Sequence, residues 1–396
     1  MDKAAIDRTF TPAARDALKF FPVDAGDLAL ISMAENVTFK VTDRHDGGTY
    51  VLRLHRPGYH TLDELDSEQA WIRALADAGI DVPRAVSAHA GRGYVPVTIE
   101  TTGERRFAGL ARWTEGRLLS DVLAETGDQA VVEDYFSQLG ALTAAMHNQA
   151  SAWQPPPGFR RHALDSDGLM GMAPHWGPFW EHRSLSAAER RLLLDARTRM
   201  HEKLMRLRRD PSGYSLIHSD MHPGNILVDG DRLTVIDFDD AGFGWHQYDI
   251  AVVLTYWQSR PNAAAIERAF LDGYQAVRPV PGAALAATLA VLAMSVAPGL
   301  LAAALVTAFY MTRLFAMTFH GKQERWTEDV HPHESPWMMM GPVAVLAVLS
   351  VVAWAATLEV WHLALASFIN GCGWATDNPL RRMMMGEVMG RDRMAT

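Results

Sequence analysis

The window "LIHSDMHPGNILVDGDRLTVIDFDDAG", residues 216–242, sets a histidine, an asparagine and several acids around two short apolar runs. Carboxylates and amides in such surroundings are costly to bury unless something binds them. A divalent cation carrying a phosphate would do so. Asp220 and Asn225 stand five residues apart. Across a short loop, that spacing lets Asp220 face an acceptor hydroxyl while Asn225 turns back toward a metal ion. The strand "LTVIDFDD" then presents Asp237 as a hard oxygen ligand for magnesium. Its neighbours Ile236 and Phe238 are expected to point the other way, into the core.

The order His218, Asp220, Asn225 fits a kinase catalytic-loop pattern. Phosphoryl transfer needs positioning and charge neutralisation more than covalent chemistry, and this set supplies both. Either half alone reads equally well as a polar turn or a strand end. Their order, after a β-rich lobe, selects the chemistry.

The elements that must position them are legible in outline. "ALISMAENVTFKVTD" and "GGTYVLRLHRP" read as strand, turn, strand, with Asp46, Gly47 and Gly48 as turn chemistry. "LDELDSEQAWIRALADAGI" is a helix that Gly79 ends. "DVPRAV", "YVPVTIETTGE" and "RFAGLARWTEG" supply further strands and turns. Beyond Ser120 the pattern turns helical, with Val132, Phe136, Leu139, Leu142 and Met146 on one stripe. "WQPPPGFRRHALDSDGLMG" is a loop on or beside a surface cleft, "LSAAERRLLLDARTRMHEKLMRLRRD" a long charged helix, and "YDIAVVLTYW" the start of another.

Composition sets limits. A chain of 396 residues, 48% hydrophobic and 21% charged, holds two or three globular units. Its net charge of -9 argues against a nucleic-acid partner. One cysteine, Cys372, excludes an internal disulfide and points to a reducing compartment. The N-terminal stretch has no apolar signal region.

Residues 25–278 resemble the aminoglycoside phosphotransferase/choline kinase-like family, closest to its homoserine-kinase-like and hydroxylysine-kinase-like branch. The carrying stretches are "ENVTFKV", "TYVLRLHRPG", "ELDSEQAWIRAL", "ARWTEGRLL", "LIHSDMHPGNILVD" and "VIDFDDAGFGWHQYDIAVVL". The resemblance implies an α+β, two-lobed protein-kinase-like fold with ATP between the lobes: a nucleotide-binding lobe over 1–111 and a helical lobe over 112–280. It makes Asp220 the catalytic base, and Asn225 and Asp237 the Mg2+ ligands. Glu35 and Asn36 would lie in the loop over the phosphates, which lacks the glycine-rich pattern of protein kinases. Arg53 would stand where the phosphate-pairing lysine is usual, held by Glu68. Arg112, Trp113 and Thr114 would be the hinge beside adenine. Asp249 would brace the catalytic loop, and His218 would fix it by bonding backbone. Asp239 and Asp240 depart from the protein-kinase pattern, where glycine follows the phenylalanine.

Residues 281–396 form an apolar tail of different character. No Asp, Glu, Lys or Arg occurs from Pro279 to Thr312 or from Ser335 to Leu358. Both runs exceed the roughly 20 residues that span a bilayer. Residues 298–352 resemble part of the antiporter-like membrane subunit of NADH:quinone oxidoreductase. Two physical readings stand: a transmembrane hairpin with membrane contact through 283–312 and 336–358 and a cytoplasmic catalytic domain, or apolar helices packed on the helical lobe. A third is a fused chain.

The expectation is therefore an ATP- and magnesium-dependent phosphotransferase acting on a hydroxyl of a small molecule: an amino-alcohol, a hydroxy amino acid or an aminoglycoside-like acceptor. The alternative is a nucleotide-binding pseudokinase or membrane-tethered interaction module.

Overall fold

The computed structural model describes residues 3–33, 35–183, 185–255, 257 and 260–280. The expectations placed on the tail lie outside these residues. Among the described residues, no helix is long and apolar enough to cross a membrane.

The chain opens with a helix that its sequence pattern did not announce, α1 (Lys3–Leu18). Pro12 inside it is a poor helix-interior residue, so tertiary packing overrides local preference. Phe10, Ala13, Ala14 and Ala17 are buried against the sheet that follows. "ALISMAENVTFKVTD", read as one strand, is two. β1 (Ala25–Met33) pairs antiparallel with β2 (Val37–Asp43), Met33 lying opposite Val37. β2 alternates strictly between buried and half-buried positions, with Val37, Phe39 and Val41 inward. β3 (Thr49–Leu54) completes this run after the expected turn, where Gly47 takes a φ of +70°.

α2 (Leu62–Asp77) begins on a capping box, in which Thr61 and Glu64 satisfy each other's backbone N–H. β4 (Ala85–Val86), β5 (Tyr94–Ile99) and β6 (Glu104–Arg112) then complete a six-stranded sheet ordered β1-β2-β3-β6-β4, with β5 also paired to β6. All its pairings are antiparallel.

After β7 (Arg117–Leu118) and α3 (Leu119–Glu125), helices dominate. α4 (Gln129–Ala152) buries Val132, Phe136, Leu139 and Met146 of the expected stripe. The proline- and glycine-rich stretch carries β8 (Ala163–Leu164) and α5 (Ser166–Met170), and the charged helix is α6 (Ala187–Leu204). β9 (Tyr214–Ile217) leads into the catalytic-loop motif, and β10 (Ile226–Asp229) and β11 (Arg232–Val235) form a hairpin behind it. β12 (Gly242–Trp245) pairs with β9 and β8; α7 (His246–Thr255) and α8 (Ala263–Val277) follow.

α4 and α8 pack with almost no space between their backbones. A methyl group at Gly140 would stand 2.0 Å from the Phe270 carbonyl oxygen, and one at Gly273 would stand 1.9 Å from that of Ser137. Alanine would gain about 1 kcal/mol of helix propensity over glycine. Overpacking of the core, typically about 1–3 kcal/mol, opposes that gain. Backbone is the obstacle on both sides and cannot rotate away, so the clash should dominate. Gly140→Ala is expected to lower the urea midpoint, and a midpoint at or above that of the parent would contradict this packing.

Candidate active site

The expected strand "LTVIDFDD" ends earlier than its sequence suggests. β11 stops at Val235, and residues 236–240 leave the sheet. Asp237 sits at φ +65°, a left-handed conformation that non-glycine residues seldom adopt. Ser219, beside Asp220, shares that φ. These are the only two non-glycine positive φ values among the described residues, and they flank one cleft. Phe238 is buried as expected, whereas Ile236 is half-buried.

The Ser219 conformation is held from below by Asp249 on α7, itself 1% exposed. Its carboxylate accepts the backbone N–H groups of His218 at 3.0 Å and Ser219 at 2.6 Å. Burial pushes Asp249 up to about 6, against the pull of His218 and these two N–H groups. His147 on α4 adds a third contact, its Nε2 3.1 Å from Asp249, while its Nδ1 lies 2.9 Å from the Tyr274 hydroxyl. Burial holds His147 down at about 3 and therefore neutral. With Nε2–H donating to Asp249, Nδ1 accepts from Tyr274. Neither His147 nor Tyr274 was signalled by the sequence, because they lie 102 and 25 residues from Asp249 and belong to apolar helix faces.

His218 fixes the loop from within. Its Nε2 donates to the Ile236 carbonyl at 3.1 Å and its Nδ1 accepts from the Asp220 backbone N–H at 3.3 Å. Burial lowers its pKa, which keeps the neutral tautomer that this pattern requires. Asn225 donates through Nδ2 to the Asp220 carboxylate at 2.7 Å and to its carbonyl at 3.0 Å. With the nitrogen end committed, the oxygen end is the one Asn225 can offer a cation. His222 accepts from Gly224 N–H through Nδ1 and brings Nε2 to 3.4 Å from Asp220. Burial opposes ionisation of Asp220, but His222, His218 and Asn225 outweigh it and hold its pKa below the ordinary value. Asp220 is therefore a carboxylate at neutral pH, able to accept a proton.

A cleft of about 250 Å³ brings Asp220 and Asp237 together with Arg53, Glu35 and Asn36. Arg53 donates to Asp237 at 2.7 Å. Burial works against its charge, and Asp237, Asp239 and Glu68 more than compensate, raising its pKa. Glu68 differs from its expected pairing. Its ion pair is with Arg161, at 3.3 Å, and both side chains are almost wholly buried. Arg161 also donates to the carbonyls of Ala241, Phe238 and Asp239 at 2.5, 3.1 and 2.7 Å. It thereby fixes α2 to the segment after Asp237. Arg53, engaged by Asp237, does not take that place. Glu35 is largely exposed and pairs with Arg56. Asn36 bridges the Arg56 backbone N–H, at 2.8 Å, and Asp239, at 3.2 Å.

Arg112, Trp113 and Thr114 do not line this cleft. The backbone N–H of Trp113 donates to Thr49 at 3.0 Å, and Lys40 stands 4.2 Å from its ring centroid. Arg112 is exposed at the end of β6.

Comparisons with known proteins bear on the family and the fold. A family model described as the phosphotransferase enzyme family matches residues 27–281. The chain is 28% identical to the homoserine kinase of Methylobacillus flagellatus over 325 residues, covering 78% of this chain and 89% of that protein. Its match to the amicoumacin kinase of Bacillus subtilis is 26% identical and covers 56% of this chain but only 60% of that kinase's length. The solved structure of a microcompartment-associated aminopropanol kinase superposes with a TM-score of 0.60 at 31% identity, covering 72% of this chain and 86% of that one. That of an amicoumacin kinase in complex with AMP-PNP and Ca2+ superposes at 0.62 with 20% identity, over 83% of this chain and 92% of that one, which speaks to fold alone. A separate match of 61 residues, 14% of this chain, is 51% identical to NADH-quinone oxidoreductase subunit L of Mycobacterium tuberculosis and covers 10% of it. The fold is α+β and protein-kinase-like, and with more than half of its length matched by the family model this protein belongs to the phosphotransferase enzyme family.

Proposed function

We propose that this protein is an ATP- and magnesium-dependent phosphotransferase that moves the γ-phosphate to a hydroxyl of a small molecule. The observation that carries the reading is the convergence of Asp220 and Asp237 on one cleft, with Asn225 bonded to the Asp220 carboxylate from behind and Asp220 held ionised. Residues 1–111 serve as the nucleotide lobe and residues 112–280 as the lobe that carries the catalytic loop.

In this reading Asp220 orients the acceptor hydroxyl and takes its proton. Asn225 and Asp237 offer an amide and a carboxylate oxygen, the hard donors that suit magnesium. When bound, the ion would neutralise charge developing between the phosphates. Arg53 is always charged and can fork onto phosphate oxygens, so it would exchange Asp237 for the nucleotide. His218 and Asp249 hold the loop so that Asp220 needs no reorganisation at the moment of transfer. Homoserine kinase, amicoumacin kinase and aminopropanol kinase are all named for hydroxyl-bearing small molecules. They support an acceptor of that class here.

A thermal-unfolding scan of the full chain, with and without magnesium-ATP, tests the nucleotide half of this reading. A ligand at about 100 times its Kd stabilises the folded form by about 2.7 kcal/mol. The parent protein should show a rise in Tm, and Asp237→Ala should lose it. No rise in the parent would overturn the assignment of this cleft to a nucleotide.

A further inference from the structure

Arg161 lies in the proline- and glycine-rich stretch ahead of β8, outside every motif that marked the site, and its side chain is only 1% exposed. A guanidinium carries five N–H donors in a rigid fork. Here each of them has an acceptor. Nε donates to the Ala241 carbonyl, Nη2 to those of Phe238 and Asp239, and Nη1 to the Glu64 carbonyl and the Glu68 carboxylate, both at 3.3 Å. Beside it, the backbone N–H of Arg160 donates to the Ser67 hydroxyl at 2.8 Å. On the other side, the His162 carbonyl accepts from the Phe243 N–H at 2.9 Å, which ties the stretch to β12. Residues 160–162 therefore join α2, β12 and the segment after Asp237.

That segment needs such a partner. Residues 236–240 have left the sheet, so no strand satisfies their carbonyls, and buried carbonyls must find donors. Side chains supply them instead: His218 for Ile236, Arg161 for Phe238, Asp239 and Ala241, and Ser219 with His162 for Asp240. His60 Nε2 also lies 2.7 Å from the Asp239 carbonyl. These bonds fix the peptide planes that follow Asp237, whose own φ is +65°. Arg53, which bonds the Asp237 carboxylate, is the side chain that the phosphotransferase reading sends to the phosphates. What then aims Asp237 is its backbone, and Arg161 holds that backbone from beneath. Burying the Arg161–Glu68 pair adds little net stability, because desolvation of both charges offsets their attraction. Its geometric effect is the larger one.

We propose that Arg161 is a positioning residue for phosphoryl transfer, which aims the Asp237 carboxylate at the metal by gripping the backbone after it and fixing that backbone to α2. This inference rests on the phosphotransferase reading for the presence of a metal. It assigns to residues 160–162 the link between helix and metal carboxylate that the sequence placed on Arg53 and Glu68. Lysine keeps the charge but offers three donors from one point. In Arg161→Lys at least two of the five acceptors therefore lose their donor. The carboxylate is then less well aimed, while Glu68 keeps a cation.

The test uses the full chain and AMP-PNP, titrated by calorimetry once in excess magnesium and once in EDTA. The ratio of the two affinities isolates what the metal contributes. In the parent, magnesium should tighten AMP-PNP binding. In Arg161→Lys that gain should shrink about tenfold, the lower end of what a residue supporting a metal ligand contributes, with the affinity in EDTA nearly unchanged. A lower Tm with the parental gain intact would reduce Arg161 to a structural role and overturn the proposal. Should Arg161→Lys fail to fold, Arg161→Gln combined with Glu68→Gln decides the matter, since it leaves no buried charge unpaired. That double variant should show the same loss, and a parental gain in it would overturn the proposal. A parent that binds AMP-PNP no better with magnesium than without it would overturn the phosphotransferase reading itself, and the role of Arg161 with it. The two failures are therefore distinguishable.

Discussion

Asp220→Asn is expected to lower kcat by about 10²–10⁴-fold, the range that a positioned general base supplies, while the affinity for magnesium-ATP stays close to that of the parent. The substitution removes one charge and almost no volume. Asparagine can turn its oxygen toward Asn225 Nδ2, which donates to Asp220 at 2.7 Å, so the loop keeps its shape. What is lost is the carboxylate that His222, His218 and Asn225 hold ionised. An amide at that position accepts a hydrogen bond from the acceptor hydroxyl but cannot take its proton. The Tm rise on adding magnesium-ATP should persist, which distinguishes this variant from Asp237→Ala. Turnover within about tenfold of the parent would place Asp220 outside the proton-transfer step.

Asp249→Ala should be the most destabilising single change within the site, at about 3–5 kcal/mol. Two buried backbone N–H groups and the His147 Nε2–H would lose their acceptor. Each buried donor left unsatisfied costs about 1–3 kcal/mol. Water entering the vacated space reduces the sum, since it can satisfy part of the debt. The remainder is large beside the roughly 5–15 kcal/mol that keeps a typical domain folded. The positive φ of Ser219 is maintained by the same bonds, so kcat should fall even at temperatures where the variant is folded. Denaturant unfolding with a kinetic assay well below the midpoint checks both effects. A loss under about 1 kcal/mol would show that the three donors find other acceptors.

Much of the arrangement was legible from neighbouring residues alone. Within 218–225 a few covalent links separate the groups, so residue type and spacing nearly dictate how Asp220 and Asn225 face each other. The amphipathic stripe of α4 and the capping box of α2 are local in the same sense. The misreadings have a common cause. α1 carries a proline, and a strand run appeared to continue through Asp237. In both places, packing against distant elements overrode the local pattern.

By itself, then, the sequence determined the family and the α+β class and singled out Asp220, Asn225 and Asp237 as the candidate site, because each is encoded by residues close together in the chain. The tertiary structure alone decided the pairings. Arg53 meets Asp237 across 184 residues, Arg161 rather than Arg53 meets Glu68 across 93, and Tyr59 reaches Asp240 across 181. The tertiary structure also decided charge. Burial and neighbours hold Asp220 ionised, His147 neutral and Asp240 beside like charges. A chain's order carries neither fact, since Coulomb energy and desolvation depend on distance and surroundings in space.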